Sequence, residues 1–458
     1  MTDLINRHPA SFKDPAGFVF KQDNKIYRQV NQSYADNYQQ FMQSGFYDKL
    51  VQKKWLLSHS EIRENITGMD SWHLTLLPEQ LSFISYPYEW SFDMLKDAAL
   101  LTLKINKAAI EHGLLLKDAT PFNIQFHQGK PVFIDTLSFE KYNEAKPWIA
   151  YRQFCECFLF PLYLNHYTGI DSGKLLSVYP DGLPASMTAR LLPFKSRFNL
   201  SVWMHVYLQR NIQQKDSGAK QRQVGFSKKK LLLLLNGLTE SIKKLSINTD
   251  STTWSNYYTE TILGKGYLQE KEKIFKEYID PISFNSALDL GANDGYFSRI
   301  AAGKAGRVIA TDFDSKCINN LYKGIKTNKT TNILPLVVDI SNPSPGIGFI
   351  NKERDAFIDR AQCDLVLALA LIHHLVFGKN IPLAMLPEFF AKLTGQHLVI
   401  EFVPLEDEKV QLLLQNKEEY HRGYSVNVFE KVFSARFNIL QKQPIAGTNR
   451  VLYLMKRL

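Results

Sequence analysis

Three groups of residues carry side chains of types and spacings that could do chemistry. The first is the stretch from Ser286 to Ser298, in which an apolar run reaches Asp289, passes through Gly291-Ala292-Asn293-Asp294-Gly295 and continues as Tyr296-Phe297-Ser298. It reads as strand, tight turn and helix. Glycine at 291 and 295 lets the backbone approach a ligand closely and take dihedrals that a Cβ forbids, and the helix start offers unpaired N–H groups. The second group comprises the polar residues that close later apolar runs: Asp312, Asp339, the pair His373-His374, and Glu401. An imidazole titrating near neutrality suits general-base work. The third is Asp118, Asn123 and Asp135, an acid, an amide five positions on, and a second acid that ends a predicted hairpin. Hard oxygen ligands from two such adjacent segments can converge on one cation. Taken singly, each of these residues has a plainer reading as a turn or helix cap.

The spacing Asp-x-Gly-x-x-x-Gly at 289–295 resembles the first motif of class I S-adenosylmethionine (SAM)-dependent methyltransferases and departs from the Gly-x-Gly-x-x-Gly of dinucleotide-binding folds. The later strand ends follow in that family's order. The resemblance implies SAM as cofactor, with Asp289, Gly291, Ala292, Asn293 and Gly295 around its amino-acid portion. It implies Asp312 as acceptor of the ribose hydroxyls, with Asp314 the lesser candidate, and Val338 and Asp339 at the adenine. Ala370 stands where many relatives carry a polar residue, so only backbone or apolar contact is expected there. That feature also leaves open a SAM-binding adaptor without catalysis. His373, His374 and Glu401 are the catalytic candidates; for the histidines the alternative is helix capping or packing. No Asn/Asp-Pro-Pro-Tyr follows the fourth strand, which argues against methylation of nucleobase or glutamine amino groups. A small-molecule or glycan oxygen is the expected acceptor.

The run from Leu114 to Phe126, with the strand ending at Asp135, resembles the catalytic loop and metal site of protein-kinase-like phosphotransferases. The resemblance implies that Asp118 orients an acceptor hydroxyl while Asn123 and Asp135 hold magnesium against ATP phosphates, giving a bifunctional kinase–methyltransferase as the alternative function. The pattern is degenerate. Leu116-Lys117 stand where the family has His-Arg, Thr136-Leu137 follow Asp135 in place of Phe-Gly, and no glycine-rich loop lies near Gly17. Lys21, Lys25 and Arg28 all compete for the role of the nucleotide cation. Over most of its length the chain is similar to bacterial nodulation-protein-like methyltransferases.

These groups need two folds to position them. The expectation is a Rossmann-like class I methyltransferase domain over residues 254–458, an α/β unit with a mainly parallel seven-stranded sheet, because strand and helix patterns alternate there. Tyr257 and Tyr258 would lie in its entry helices. An α+β, kinase-like or accessory domain over 1–208 precedes it, joined by a basic linker and helix over 209–253. Within the first domain the patterns predict a hairpin at 17–30 around Asp23-Asn24, a helix over 32–57, a strand at 81–88 and a helix over 92–112 ended by Gly113.

A length of 458 residues, 45% hydrophobic and 22% charged, fits two or three globular domains. The net charge is +10, and residues 209–230 carry seven lysines and arginines against the single acid Asp216. That stretch could touch nucleic acid, an anionic glycan or a membrane surface, but interleaved Gln, Ser and Gly favour a solvated connector. No apolar run is long enough to span a membrane. The N-terminus lacks a signal-peptide core, and the four cysteines show no metal spacing. A cytoplasmic protein with reduced thiols is expected.

Overall fold

The structure, a computed structural model, describes residues 7–210, 226–247, 265–414 and 423–458. Most of the basic stretch, Tyr257 and Tyr258, and the end of the expected linker at 248–253 lie outside the described residues. The chain divides into two compact units, one of residues 1–248 with 346–355 and the other of residues 249–345 with 356–458.

In the first unit, β1 (Gly17–Gln22) and β2 (Lys25–Asn31) form the expected hairpin, and Asp23 and Asn24 both take positive φ, 48° and 60°. That is the hand required by a two-residue turn between twisted strands. With β3 (His59–Ile62) and β4 (Trp72–Pro78) they make an antiparallel sheet in the order β1-β2-β4-β3. The helix expected over 32–57 is two helices, Ala35–Gln43 and Phe46–Gln52, separated at Gly45 with φ 68°. The strand expected at 81–88 does not form. The N–H of Ser85 donates to Gln125 Oε1 and that of Tyr86 to Glu89 Oε2, so side chains take the bonds a ladder would use.

The helix Phe92–Glu111 buries thirteen of its twenty residues and ends before Gly113, whose φ is 70°. Two short pairs follow, β5 (Leu114–Leu116) with β8 (Phe139–Lys141), and the hairpin β6 (Ile124–His127) with β7 (Lys130–Phe133). Together these place Asp118 and Asn123 between β5 and β6, and Asp135 just after β7. Helices then follow, including Phe160–Thr168, Ala185–Leu191 and Lys228–Lys244. Lys96 Nζ, on the long helix, donates to the carbonyls of Lys243 and Leu245 at the end of the last of these.

Residues 346–355 fold as part of this unit although they are distant in sequence. Lys13 pairs with Glu353 at 3.1 Å, the Asp355 N–H donates to Tyr86 Oη at 3.0 Å, and Arg354 lies over the Phe122 ring at 4.4 Å. Nothing in the apolar patterning of the sequence signals this excursion.

The second unit is built on β9 (Ser286–Leu290), β10 (Arg307–Asp312), β11 (Ile333–Val337), β12 (Cys363–Ala368), β13 (Thr394–Phe402), β14 (Phe437–Pro444) and β15 (Val451–Arg457). The sheet order is β11-β10-β9-β12-β13-β15-β14, parallel except for β15, which is antiparallel to both its neighbours. This is the expected α/β class I methyltransferase sheet, with its closing antiparallel pair. Val308, Ile309, Leu365 and Val399 are among the fully buried residues of these strands, as expected of a sheet covered on both faces. None of the four cysteines is in a disulfide, and all are buried. Among the described residues, no helix is long and apolar enough to cross a membrane.

Candidate functional site

The order of strands in the second unit decides where a ligand can sit. The chain leaves β9 towards β10 on one side and returns at β12 on the other, so the crevice at the carboxyl ends of these strands is the sheet's switch point. Asp289, the turn 291–295, Asp312, Val338, Asp339 and Ala370 all come to that edge.

The turn is shaped from within. Gly291 and Ala292 both donate their N–H to the Thr311 carbonyl at 2.8 Å, which ties the turn to β10. Gly291 and Gly295 have φ of 77° and 78°, and Asn293 shares the left-handed region at 51°. A Cβ on Gly295 would stand 2.6 Å from Leu321 Cδ1, so glycine there permits the helix after β10 to close in; one on Gly291 would meet only Leu371 Cδ1, at 3.5 Å. Gly291 is exposed, so the space in front of it is open to a ligand. The N–H groups expected to be free at the following helix are partly engaged: that of Tyr296 donates to Asp294 Oδ1.

Asp312 accepts from the Asn293 N–H through Oδ2 and from the Asp314 N–H through Oδ1, each at 2.9 Å. Burial pushes its carboxyl up to about 6 against these hydrogen bonds. Asp314 is a helix cap, accepting from the N–H groups of Lys316 and Cys317. Asp289 is buried and accepts from Ser298 Oγ at 2.6 Å; burial raises it too, to about 6. The N–H of Val338 donates to the Asp312 carbonyl, extending the ladder by one residue beyond β11. Asp339 accepts from the N–H and Oγ of Ser341 and from Lys379 Nζ; these hold its carboxyl below its usual value against partial burial. Ala370 takes φ 49°, unusual for a residue with a Cβ.

The catalytic candidates divide. His373 is fully buried and neither ring nitrogen finds a hydrogen-bond partner among the described residues. Its ring lies 4.1 Å from that of His374. Burial lowers both imidazoles, His374 to about 4 and His373 well below its ordinary value, with His374, Arg450 and Lys271 adding to the effect at His373. Both are therefore neutral at pH 7.

Glu401 belongs to a buried ion cluster that sequence reasoning missed. Lys271 Nζ lies 2.5 Å from Glu401 Oε2, Tyr267 Oη donates to Oε1 at 2.6 Å, and Arg450 NH1 approaches Oε1 at 3.3 Å. Lys271, Glu401 and Arg450 are at most 1% exposed, and Arg450 also forks onto Asp407 at 2.7 and 3.0 Å. Burial would raise the Glu401 carboxyl, but Lys271 and Arg450 together bring it down to about 2. A carboxylate held this way is a poor proton acceptor near neutrality, which corrects the expectation of Glu401 as a base. The legible signal was Lys271 itself, on the stripe Tyr267, Lys271, Ile274 and Tyr278, all buried faces of the helix Lys265–Ile279.

In the first unit, Asp118, Asn123 and Asp135 do converge. Asn123 Nδ2 donates to Asp118 Oδ2 and to Ser138 Oγ, both at 3.1 Å, and Ser138 Oγ donates to Asp135 Oδ2 at 2.8 Å. Burial and the nearby Asp135 raise the Asp118 carboxyl. Of the three cations in competition on the hairpin, Arg28 reaches the cluster, with NH1 2.7 Å from Asp135 Oδ1. Asp135 also accepts from the Leu137 N–H. The carboxylate expected to ligate magnesium is thus satisfied by protein groups. Among the described residues no group of three or more His, Cys, Asp or Glu is placed to hold a metal.

No family model matches the chain. Nodulation protein NoeA of Rhizobium meliloti (strain 1021) is 30% identical over 465 residues, covering 98% of this chain and 96% of that protein. Among solved structures, the N-methyltransferase NodS from Bradyrhizobium japonicum WM9 is similar over 43% of this chain and 99% of its own, at 11% identity and a TM-score of 0.31. The bifunctional kinase-methyltransferase WbdD is similar over 41% of this chain and 38% of its own, at 16% identity and a TM-score of 0.27. Similarity along nearly the whole of both sequences means that the chain belongs to the family of nodulation protein NoeA.

Proposed function

We propose that this chain is a SAM-dependent methyltransferase acting on an oxygen of a small-molecule or glycan acceptor. The observation that carries the reading is Asp312, which ends β10 beside the Gly291 turn at the switch-point edge, with its carboxylate anchored by two backbone N–H groups. An anchored carboxylate there suits a pair of vicinal hydroxyls. The residues fit the cofactor at a second point, since the exposed Gly291 leaves open the space a side chain would fill.

In this reading Asp312 would hold the ribose, Val338 and Asp339 the adenine, and Asp289, Gly291, Ala292, Asn293 and Gly295 the amino-acid end, with backbone contact at Ala370. When bound, SAM supplies an activated methyl group with a neutral thioether as leaving group. The chain has then to align the acceptor, exclude water and take up the acceptor's proton. Proton uptake is assigned to none of the three catalytic candidates: burial lowers both imidazoles of the His373–His374 pair, which makes them, like Glu401, poor proton acceptors near neutrality. Glu401 acts in positioning, fixing Lys271 and Arg450 rather than moving a proton. ATP use by the first unit is left out of the proposal, because Asp135 already pairs with Arg28.

Calorimetric titration of the full chain with SAM tests the reading. The wild type is expected to bind and Asp312→Ala to bind roughly ten- to a hundredfold more weakly, the worth of one or two hydrogen bonds to a charged group. A wild type that takes up no SAM would overturn the proposal. Binding without methyl transfer from labelled SAM to any acceptor in a cell extract would favour the adaptor instead.

A further inference from the structure

Seven of the 22 exposed large apolar side chains among the described residues fall within residues 191–208. There the helix Ala185–Leu191, the turn Phe194–Phe198 and the run from Leu200 to Leu208 pack on one another. Along the last of these, Val202, His205, Val206 and Gln209 are buried, while Leu200, Trp203, Met204 and Leu208 face outward. The run is therefore apolar on both sides, and among the described residues one of those sides is left exposed. Phe194 and Phe198, 68% and 81% exposed, extend this surface with their rings 5.8 Å apart. A contiguous exposed apolar patch of this kind marks an interaction site.

The charges carried by this stretch of the chain are of one sign. Arg190, Lys195 and Arg197 are all exposed, and no Asp or Glu occurs between Asp181 and Asp216 in the sequence. The Arg197 guanidinium lies over the rings of Phe194 and Tyr207 at 5.2 and 5.1 Å, so cation and apolar surface are presented together. Trp and Phe beside Lys and Arg, without acids, is the composition of a surface that inserts rings among lipid chains while its cations meet headgroups. Pairing with a second copy across a two-fold axis would bring the same three cations towards their own equivalents.

We propose that Phe194, Phe198, Leu200, Trp203, Met204 and Leu208, with Arg190, Lys195 and Arg197, form a docking surface for an anionic bilayer. It holds the protein at the interface and is independent of the SAM site.

Flotation of the full-length protein with vesicles tests this, using phosphatidylcholine alone or mixed with phosphatidylglycerol, at low and high salt. The wild type is expected to float with the anionic vesicles at low salt, far less with neutral ones, and less as salt screens the cations. Phe194→Ser/Phe198→Ser/Trp203→Ser should lower the bound fraction about tenfold or more, and Lys195→Glu/Arg197→Glu should do likewise. All five side chains are exposed, so circular dichroism and thermal melting should match the wild type. A wild type that stays in solution with both vesicle types overturns the proposal. So does equal flotation of wild type and variants. A dimer seen by light scattering that the triple substitution abolishes, with no flotation, would assign the surface to a second copy and equally overturn it.

Discussion

Gly291 and Gly295 share nearly the same φ, yet a methyl group would do different things at each. At Gly295 the new Cβ meets the Leu321 side chain at 2.6 Å, and the positive φ adds strain. Gly295→Ala should therefore destabilise the second unit by about 2–4 kcal/mol, combining left-handed strain with overpacking. At Gly291 the Cβ would make ordinary contact with Leu371, so Gly291→Ala should cost only about 1–2 kcal/mol of strain. Its larger effect should fall on SAM affinity, because the methyl occupies the exposed space in front of the turn. Urea titration and calorimetry on both variants read the two effects. Equal stability losses would show that Leu321 moves aside, and unchanged SAM affinity in Gly291→Ala would place the ligand elsewhere. The glycines were legible in the sequence because an acid and an apolar run precede them. What each glycine makes room for was not, since Leu321 and Leu371 are distant in sequence.

At the scale of elements, the succession of strands and helices was written in the alternation of apolar runs and helical patterns, and the resemblance to class I methyltransferases ranked the acids at the strand ends. The buried ion cluster was less accessible. It joins the helix Lys265–Ile279, β13 and the start of β15, three segments brought together only by the sheet. Reading Glu401 as a base followed from its place at a strand end; its partners Lys271 and Arg450 stand 130 and 49 positions away. Lys271→Met would leave Glu401 buried with one cation fewer and should cost about 3–5 kcal/mol. Lys271→Met/Glu401→Met should cost less than the sum of the two single substitutions, a coupling that a double-mutant cycle in urea measures. Additive losses would mean the two side chains do not share the interaction. The kinase-like cluster shows the same division: its order along the chain was readable, whereas the Arg28–Asp135 pair needed the fold.

Over the whole second unit, buried titratable groups oppose one another. His373 and His374 have lowered folded values, so between about pH 4 and 6 the unfolded chain binds their two protons and the folded one does not. Stability from this source grows with pH. Asp289 and Asp312 are raised from 3.8 to about 6, so over the same window the folded unit holds two protons that the unfolded chain has released. Stability from that source falls with pH. His397, lowered by burial, adds to the histidine side. Because the two contributions oppose each other, the stability of the unit should change less between about pH 6 and 4.5 than either set alone would make it. Below that, Glu401, depressed to about 2, loses its contribution as it is protonated. His374→Gln removes one of the opposing protons, so its stability relative to the wild type should fall as pH rises from about 4 to 6. Hydrogen exchange of β9 to β13 without SAM reads this, and a profile parallel to that of the wild type would contradict it.

The excursion of residues 346–355 into the first unit has a consequence for how the protein can be divided. The polypeptide passes from one unit to the other three times, after residues 248, 345 and 355. No single proteolytic nick releases either half whole. A recombination event that carried off the second half alone would take with it a ten-residue piece of the other. Unlike domains strung on a single linker, these two are joined by three chain crossings, so excision of either one needs more than one cut.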